Sequence, residues 1–183
     1  MRVADFIAKK FRLLGITHAY MVTGGAAMHL NDAISREYYQ NLHFLHHEQS
    51  CSMAAEAYAR ITNKPCLVNV TAGPGAINAI NGVFGAYVDS LPMIVISGQS
   101  KRQTLALNSR VKNLRQLGDQ EVNIIEMVSN VCKRAFLLQE PLDIDIIVNQ
   151  AFLLATSGRP GPVWIDIPID VQASILPEHY ASL

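Results

Sequence analysis

The sequence predicts a doubly wound α/β domain, with a mostly parallel sheet of about six strands and helices on both of its faces. Two observations carry this prediction: helix-like and strand-like segments alternate along the chain, and the strand-like segments are almost continuously apolar. Strands of that kind are typical of parallel sheets that are covered on both sides. The 183 residues suit one domain, and the 50% hydrophobic content is enough for a well-buried core.

The elements of the first half follow from hydrophobic periodicity and from the residues that end each segment. A first helix is predicted at Ala4–Leu14, because apolar residues recur there at helical spacing and Gly15 is a stop signal. Short apolar runs predict three strands, at 18–22, 42–46 and 66–70. The helices expected after these strands are Ala26–Ser35, Gln49–Ile61 and Ala76–Tyr87.

The second half continues the alternation after a polar interruption. Residues 99–120 are weakly patterned, and a loop of that length in a compact domain is usually functional or mobile. The strands predicted here are 93–97, 134–138 and 162–167, and the helices are 122–128 and Asp143–Thr156. The domain is therefore expected to span 1–171. The tail 172–183, which contains Pro177, is expected to be an exit linker towards a further domain.

Composition and charge indicate the partners and the location. Fifteen basic and fifteen acidic residues cancel, and no basic block stands out, so neither nucleic acid nor a membrane surface is an expected partner. No apolar run approaches the ~20 residues of a membrane-spanning helix, and the N-terminal stretch lacks the core of a signal peptide. Cys51, Cys66 and Cys132 lie in apolar stretches, which indicates buried thiols in a reducing compartment. We therefore expect a cytoplasmic protein.

Four motifs fall at the carboxyl ends of predicted strands, where doubly wound folds bind their ligands. They are Gly24-Gly25, His46-His47-Glu48, 71–75 and Gly98-Gln99. In TAGPGAIN, residues 71–78, a strand runs through Gly-Pro-Gly into a helix, which allows close backbone approach and offers free N–H groups. A dinucleotide site is disfavoured, because GxGxxG would need a small residue at Asn78. A tight turn and a backbone platform for a flat or polar ligand both remain open.

Glu48 is an acid at the start of an alanine-rich helix, in the stretch LHHEQSCSMAAEAYAR. The adjacent His46 and His47 would point to opposite faces of a strand, and no further Asp, His or Cys completes a metal-binding set. We therefore predict no metal site in this chain. An acid in the first turn is stabilised by the helix dipole, and this structural role stays open beside a functional one.

Three stretches together carry a resemblance to a known family: HHEQSCSMAAEAYAR, VTAGPGAINAINGVFGAYVDSLPMIVISGQ and SGRPGPVWIDIPIDV. They resemble the N-terminal, pyrimidine-binding domain of thiamine-diphosphate-dependent enzymes, especially acetolactate synthases, pyruvate oxidases and related 2-keto-acid decarboxylases. The resemblance runs from about Val3 to Val171. It implies thiamine diphosphate as cofactor, a 2-keto acid such as pyruvate as substrate, and a transferase or lyase reaction that couples decarboxylation to carboligation.

The resemblance also implies roles for individual residues. In the family, a glutamate after the second strand hydrogen-bonds the N1′ nitrogen of the cofactor's aminopyrimidine and promotes loss of the thiazolium C2 proton; Glu48 matches it as the catalytic residue. Burial at an apolar interface would help this carboxyl group to share a proton. Gln120 in LGDQEV matches a family glutamine near the substrate. The implied cofactor-binding residues are Gly24, Gly25, Thr71, Gly73, Pro74 and Asn78.

Parts of the family's site are absent from this chain. A Gly-Asp-Gly motif followed by asparagines holds Mg²⁺ and the diphosphate in the family, and Gly118-Asp119-Gln120 does not match it. The cofactor normally lies between the pyrimidine domain of one chain and the diphosphate-binding domain of another. We therefore expect a homodimer that pairs through the helices near 49–61 and 75–87, a partner diphosphate-binding domain, and an inactive chain when it is alone. FAD binding stays open, because it depends on a central domain.

Several other functions remain open beside an acetolactate-synthase-like one. Many acetolactate synthases have phenylalanine just before the matched glutamine, whereas this chain has Asp119. The stretches GGAAMHLNDAI and RQLGDQEV look closer to a branch often found with bacterial polysaccharide biosynthesis, so a carboligase acting on a keto-sugar is one alternative. A subunit of a split 2-keto-acid decarboxylase and a non-catalytic interaction module are two others. The presence of Glu48 argues against the non-catalytic module, because such a domain has no need of a buried acid.

Overall fold

Six parallel strands form one sheet, and the computed structural model describes residues 1–182. The order across the sheet is β2-β1-β3-β4-β6-β5. The strands are β1 (Ala19–Met21), β2 (Leu42–Phe44), β3 (Leu67–Val70), β4 (Met93–Gln99), β5 (Arg134–Leu137) and β6 (Pro162–Pro168). Every strand pair is parallel. The predicted α/β class and the predicted strand number are both confirmed.

Helices cover both faces of this sheet, which explains the continuously apolar strands. They are α1 (Val3–Leu13), α2 (Met28–Glu37), α3 (Glu48–Thr62), α4 (Pro74–Val88), α5 (Ile124–Val128), α6 (Ile144–Thr156) and α7 (Ile169–Ala173). The core on one face is built with α1, α2, α6 and α7, and the core on the other face with α3, α4 and α5. Every residue of β3, β4 and β6 is buried.

The strand connections create two crevices at the carboxyl edge of the sheet. After β1 the chain passes to α2 on one face, whereas after the neighbouring β3 it passes to α4 on the other. The same reversal separates β4, which leads towards α5, from β6, which leads to α7. Ligands in open α/β sheets bind where neighbouring connections diverge in this way. The β1/β3 crevice is where the predicted cofactor residues gather.

Some boundaries differ from those predicted, for local reasons. The second helix begins at Met28 because Gly25–Ala27 form a 3₁₀ turn before it. Helix α4 begins at Pro74, since proline is well suited to the first position of a helix. Residues 100–123 contain two 3₁₀ turns, Arg102–Thr104 and Ala106–Asn108, and no strand. The three cysteines are free and buried as predicted, and burial raises the pKa of each thiol.

The first part of the predicted linker packs on the domain. Gln172 is fully buried, Leu176 is 3% exposed, and Ile175 forms an antiparallel bridge with Arg2. The Leu176 backbone N–H donates to the Met1 carbonyl oxygen over 2.9 Å. The segment therefore fixes the N-terminus of α1. The last residue of the predicted linker, at 183, lies outside the described residues.

Across residues 1–182, every helix is too short or too polar to cross a membrane.

Candidate functional site

The turn after β1 places Gly24 against the turn after β3. A Cβ atom at Gly24 would collide with the side chain of Thr71, so glycine is required for this close approach. Two asparagines hold the turn: Asn31 Nδ2 donates to the Gly24 carbonyl oxygen over 3.1 Å, and Asn69 Nδ2 donates to Asn31 Oδ1 over 2.8 Å. Gly25 has open space around it. The predicted residues Gly24, Gly25 and Thr71 thus lie together.

The Gly73-Pro74-Gly75 turn follows Thr71 and contains two of the predicted cofactor-binding residues, Gly73 and Pro74. Gly73 has φ +57°, a conformation that L side chains rarely adopt, and a Cβ there would collide with the Gln120 carbonyl oxygen. A Cβ at Gly75 would lie 2.7 Å from Thr71 Cγ2 and 3.2 Å from Glu48 Oε1. The turn therefore joins the acid on one side to the Gln120 loop on the other.

Glu48 is the first residue of α3 and is half-buried. Asn78 Nδ2, on α4, donates to Glu48 Oε2 over 3.0 Å. Within the described part of the chain, Glu48 Oε1 receives no hydrogen bond, and it is this oxygen that lies nearest Gly75. The His47 imidazole caps the helix by accepting from the Gln49 backbone N–H over 3.1 Å. One carboxylate oxygen is thus anchored, and the other is available to a ligand.

A cleft of about 660 Å³ opens next to these turns. Four predicted residues line it, namely Gly24, Gly25, Thr71 and Gln120. The other four predicted residues do not line it: Gly73 is packed against the Gln120 carbonyl oxygen, and Glu48, Pro74 and Asn78 lie on the side of α3 and α4. Lys101 and Asp119 line the cleft and place one charge of each sign there. The predicted site therefore forms one continuous edge, with the acid at one end and Gln120 at the other.

The Gln120 loop is held by side chains that accept from or donate to its backbone. Glu121 accepts from the N–H groups of Leu117 and Gly118 through Oε2, and from that of Ala106 through Oε1. Ser100 Oγ donates to the Asp119 carbonyl oxygen over 2.9 Å. Gln120, which lies between the bonded residues Asp119 and Glu121, has a φ of +51°. The long weakly patterned segment is thus organised around the cleft.

Three residues that support the site were not predicted from the sequence. Asn31 and Asn69 fix Gly24, and Gln172 Nε2 donates to the Ala26 carbonyl oxygen over 2.8 Å. An asparagine within the apolar run CLVNV was a usable signal, because a buried polar side chain needs a partner. Gln172 gave no such signal, since it lies in the segment predicted to be a linker.

Asp166 is a buried acid at the second crevice, in β6. Ser97 Oγ donates to its Oδ1 over 2.5 Å, and Gln99 Nε2 donates to its Oδ2 over 2.9 Å. Burial raises the pKa of this carboxyl group to about 7, against the lowering effect of these two hydrogen bonds. The Trp164 indole N–H donates to Ser97 Oγ over 2.8 Å. The cluster is 0–3% exposed.

Among the residues that the structure describes, His, Cys, Asp and Glu do not form a group of three or more that could hold a metal ion.

Comparison with known proteins identifies a matching family. The family model described as "Thiamine pyrophosphate enzyme, N-terminal TPP binding domain" matches residues 1–127. The matched region contains the Gly24 turn, Glu48, the Gly73-Pro74-Gly75 turn and the Gln120 loop.

Several curated proteins are similar over almost the whole chain. A probable chloroplastic acetolactate synthase 2 of Oryza sativa subsp. japonica is 34% identical over 169 residues, 92% of this chain and 24% of the relative. A chloroplastic acetolactate synthase of Arabidopsis thaliana is 35% identical over 172 residues, which are 94% of this chain and 24% of the relative. The acetolactate synthase large subunit of Buchnera aphidicola subsp. Schizaphis graminum is 38% identical over 168 residues, which are 92% of this chain and 28% of the relative. The chain spans about a quarter of the length of these relatives.

Proposed function

Because the chain belongs to the thiamine pyrophosphate enzyme family, as an N-terminal TPP binding domain, we propose that it holds the pyrimidine end of thiamine diphosphate in an acetolactate-synthase-like enzyme. That enzyme would decarboxylate a 2-keto acid such as pyruvate and join the remaining fragment to an acceptor. The arrangement of Glu48 carries the proposal. One oxygen is held by Asn78 and the other is left beside Gly75.

The residues present fit the pyrimidine end of this cofactor. Glu48 Oε1 lies beside Gly75, which has no side chain to cover it, and receives no hydrogen bond within the described chain, so a ring nitrogen can approach the carboxyl group there. The Gly24-Gly25 and Gly73-Pro74 turns meet at the same edge, where Gly25 and Pro74 are exposed. Nothing in the described chain presents a metal-binding cluster for the diphosphate end. The chain therefore fits one half of the cofactor, and we assign Mg²⁺ and the diphosphate to a partner domain.

Glu48 would act as the proton-sharing acid of the reaction. When bound, thiamine diphosphate supplies a carbon centre that attacks the keto group of the substrate. Glu48 Oε1 would hold a proton at the pyrimidine N1′, while Asn78 fixes the rotamer of the side chain through Oε2. A carboxyl group does this best when water is excluded from it. Since Glu48 is half-buried in the chain alone, the partner domain would complete its burial.

Gln120 and Asp119 would define the substrate side of the cleft. Both line it, and Gln120 is the residue that matches the family's substrate-proximal glutamine. Asp119 stands where many acetolactate synthases have an apolar residue. This difference favours a polar acceptor, and a keto-sugar is therefore the second candidate beside a simple 2-keto acid.

We further propose that the chain works as a homodimer that also contacts a diphosphate-binding domain, and that it is inactive alone. Helix α3, which begins at Glu48, and the neighbouring helix α4 expose apolar side chains, among them Met53, Ile77 and Phe84. Such a patch is typical of a surface covered by a partner. A cytoplasmic location stays a prediction from the sequence, and the buried free thiols are consistent with it.

Binding of thiamine itself to the chain tests this assignment. We expect millimolar thiamine to shift the backbone amide resonances of Glu48, Gly75 and Asn78 in NMR spectra. Glu48→Ala should abolish these shifts. Glu56→Ala should preserve them, since Glu56 lies two turns further along α3 and pairs with Arg60. Shifts that fall elsewhere, or that survive Glu48→Ala, would remove the site from this edge of the sheet.

A further inference from the structure

A chain of hydrogen bonds joins buried Asp166 to the loop that carries Gln120. Gln99 is the first link: its Nε2 donates to Asp166 Oδ2 over 2.9 Å, and its Oε1 accepts from the Ser100 backbone N–H over 2.9 Å. Ser100 is the second link, because its Oγ donates to the Asp119 carbonyl oxygen over 2.9 Å. Gln120 is the next residue. Three successive hydrogen bonds thus run from buried Asp166 on β6 to the wall of the cleft.

The inner end of this chain is fixed by the sheet itself. Ser97 Oγ donates to Asp166 Oδ1, and the same oxygen of Ser97 accepts from the Trp164 indole. Both carboxyl oxygens of Asp166 are therefore engaged, and the residue is 1% exposed. A carboxyl group held on both oxygens cannot rotate. Its orientation in turn sets that of the Gln99 amide.

At their outer end the hydrogen bonds reach Gln120, whose backbone conformation needs support. Gln120 has φ +51°, which is uncommon for a residue other than glycine. Its carbonyl oxygen lies against Gly73, where no Cβ could fit. Backbone of this kind persists only where the surrounding contacts hold it in place. Glu121 supplies part of that hold, and Ser100 supplies the bond directly before Gln120.

We propose that Asp166 is a positioning residue for the substrate side of the cleft, and that it holds Asp119 and Gln120 against the Gly73 turn through Gln99 and Ser100. The inference rests on the proposed function, which places Gln120 near the substrate. Asp166 does not line the cleft; Gln99 and Ser100 do. It therefore acts only through these two neighbours.

The chemistry of Asp166 and its partners distinguishes substitutions that preserve the hydrogen bonds between Asp166 and Ser100 from those that interrupt them. Asn at position 166 can still accept from Gln99 Nε2 with its oxygen and can donate to Ser97 Oγ with its nitrogen. Leu at that position offers neither. Gln99 would then keep only its bond to the Val122 carbonyl oxygen, and its Oε1 would be free to turn away from Ser100. Asp166→Asn is thus the conservative variant, and Asp166→Leu breaks the first link.

Amide hydrogen exchange of the chain, followed by NMR, tests the proposal. In Asp166→Leu we expect the Ser100 and Glu121 amides to exchange roughly three- to tenfold faster relative to core amides, as the loss of one hydrogen bond predicts. The Gln120 side-chain amide resonances should shift at the same time. Asp166→Asn should restore the parental pattern. If Asp166→Leu does not fold, Gln99→Met interrupts the same link and should give the same result.

Two further variants distinguish positioning from a general loss of stability. Ser100→Ala should speed exchange at Glu121 while the core cluster stays intact. Trp164→Phe removes the indole donor but keeps the bond from Ser97 Oγ to Asp166, so it should lower overall stability, with the Ser100 and Glu121 rates unchanged relative to the core. Equal acceleration everywhere in Asp166→Leu or Gln99→Met, or none at Glu121 in Ser100→Ala, would overturn the proposal. The measurement needs no cofactor, so failure of the proposed function would appear only in the thiamine titration.

Discussion

Glu48 engages only one of its carboxylate oxygens within the described domain, and this sets the first prediction at the residue scale. Glu48→Gln keeps the size of the side chain but cannot share a proton with the pyrimidine. In the assembled enzyme, with its diphosphate-binding domain present, we expect hydrogen–deuterium exchange at the cofactor C2 to slow by about 10²–10⁴-fold. Cofactor affinity should fall less, because the diphosphate contacts remain.

Quenched-flow NMR would measure the C2 exchange rate, with Gln49→Ala as the neighbouring control. Gln49 contributes its backbone N–H to the His47 cap, and alanine retains that group. The control should exchange close to the parental rate. A parental rate in Glu48→Gln would return Glu48 to the role of a charge at a helix N-terminus.

Asp166 gives a second residue-scale prediction, on the pH dependence of stability. Its pKa is raised to about 7 in the folded chain from an ordinary 3.8, so the folded state binds this proton more tightly than the unfolded state does. The stability that this proton contributes is present below pH 4 and is lost as the pH rises through 7. Asp166→Asn should remove this loss. At pH 8 its free energy of unfolding should exceed the parental value by a few kcal/mol, because one pKa unit corresponds to about 1.36 kcal/mol.

Urea unfolding at pH 5 and pH 8 would measure the free energy of unfolding of both proteins. Asp145→Asn removes a surface carboxylate on α6 that pairs with Lys10, and it controls for the change in net charge. A gain in Asp166→Asn that is as large at pH 5 as at pH 8 would contradict the raised pKa.

At the scale of elements, the contact between α3 and α4 holds the two sides of the site together. Helix α3 carries Glu48 and α4 carries Asn78, so the distance between the helices sets their hydrogen bond. Gly82 lies at a close contact between the two helices. A Cβ there would stand 2.5 Å from Ser52 Oγ and from backbone atoms of Ser52 and Met53. Backbone atoms cannot yield as a flexible side chain can.

Gly82→Ala should therefore destabilise the fold by about 1–3 kcal/mol, the usual cost of overpacking. Gly85, one turn later in α4, is the matched control, because the nearest atom to a Cβ there is Glu56 Cγ at 3.8 Å. Gly85→Ala should instead stabilise by about 0.5–1 kcal/mol through helix propensity. Thermal unfolding of both variants would check the opposite signs. A stabilised Gly82→Ala would mean that the helices can separate at little cost.

At the scale of the whole molecule, the sequence was informative where a pattern is local. Apolar runs located all six strands within two residues at each end, and the motifs at strand ends located Glu48 and the Gly73 turn. The supports that depend on distant side chains were missed. Gln172 reaches the Gly25–Ala27 turn across 146 positions of the chain, and Asn69 reaches Asn31 across 38. The loop near Gln120 has no periodicity because Glu121, rather than a helix or strand, organises it.

The isolated chain is expected to bind thiamine diphosphate weakly and to leave pyruvate unchanged. Under the proposed function Glu48 would offer one charged hydrogen bond to the pyrimidine, and the described chain presents no metal-binding cluster for the diphosphate. Binding must also offset the loss of translational and rotational freedom, which is about 4–15 kcal/mol. Calorimetry with Mg²⁺ would measure the affinity. A submicromolar dissociation constant would reveal a phosphate site on this domain.

The apolar face of α3 and α4 leads to the last prediction, that the chain forms a dimer through these helices. Met53 is 50% exposed, Phe84 54% and Val88 51%, although all three are large and apolar. A cavity of about 510 Å³ lies beside Phe84 and would accept a side chain from a second copy. Burying this face in a two-fold contact removes apolar area from water and encloses Glu48, whose helix borders the contact.

Light scattering at tens of micromolar protein should give twice the mass of the chain. Phe84→Glu should give the mass of one chain, because a charge at the centre of the contact would be buried without a partner. Leu153→Glu is the matched control: Leu153 is 62% exposed on α6, on the opposite face of the sheet, so this variant should remain a dimer. A parental chain that stays monomeric would contradict the contact. Glu48 would then depend on the diphosphate-binding domain alone for its burial.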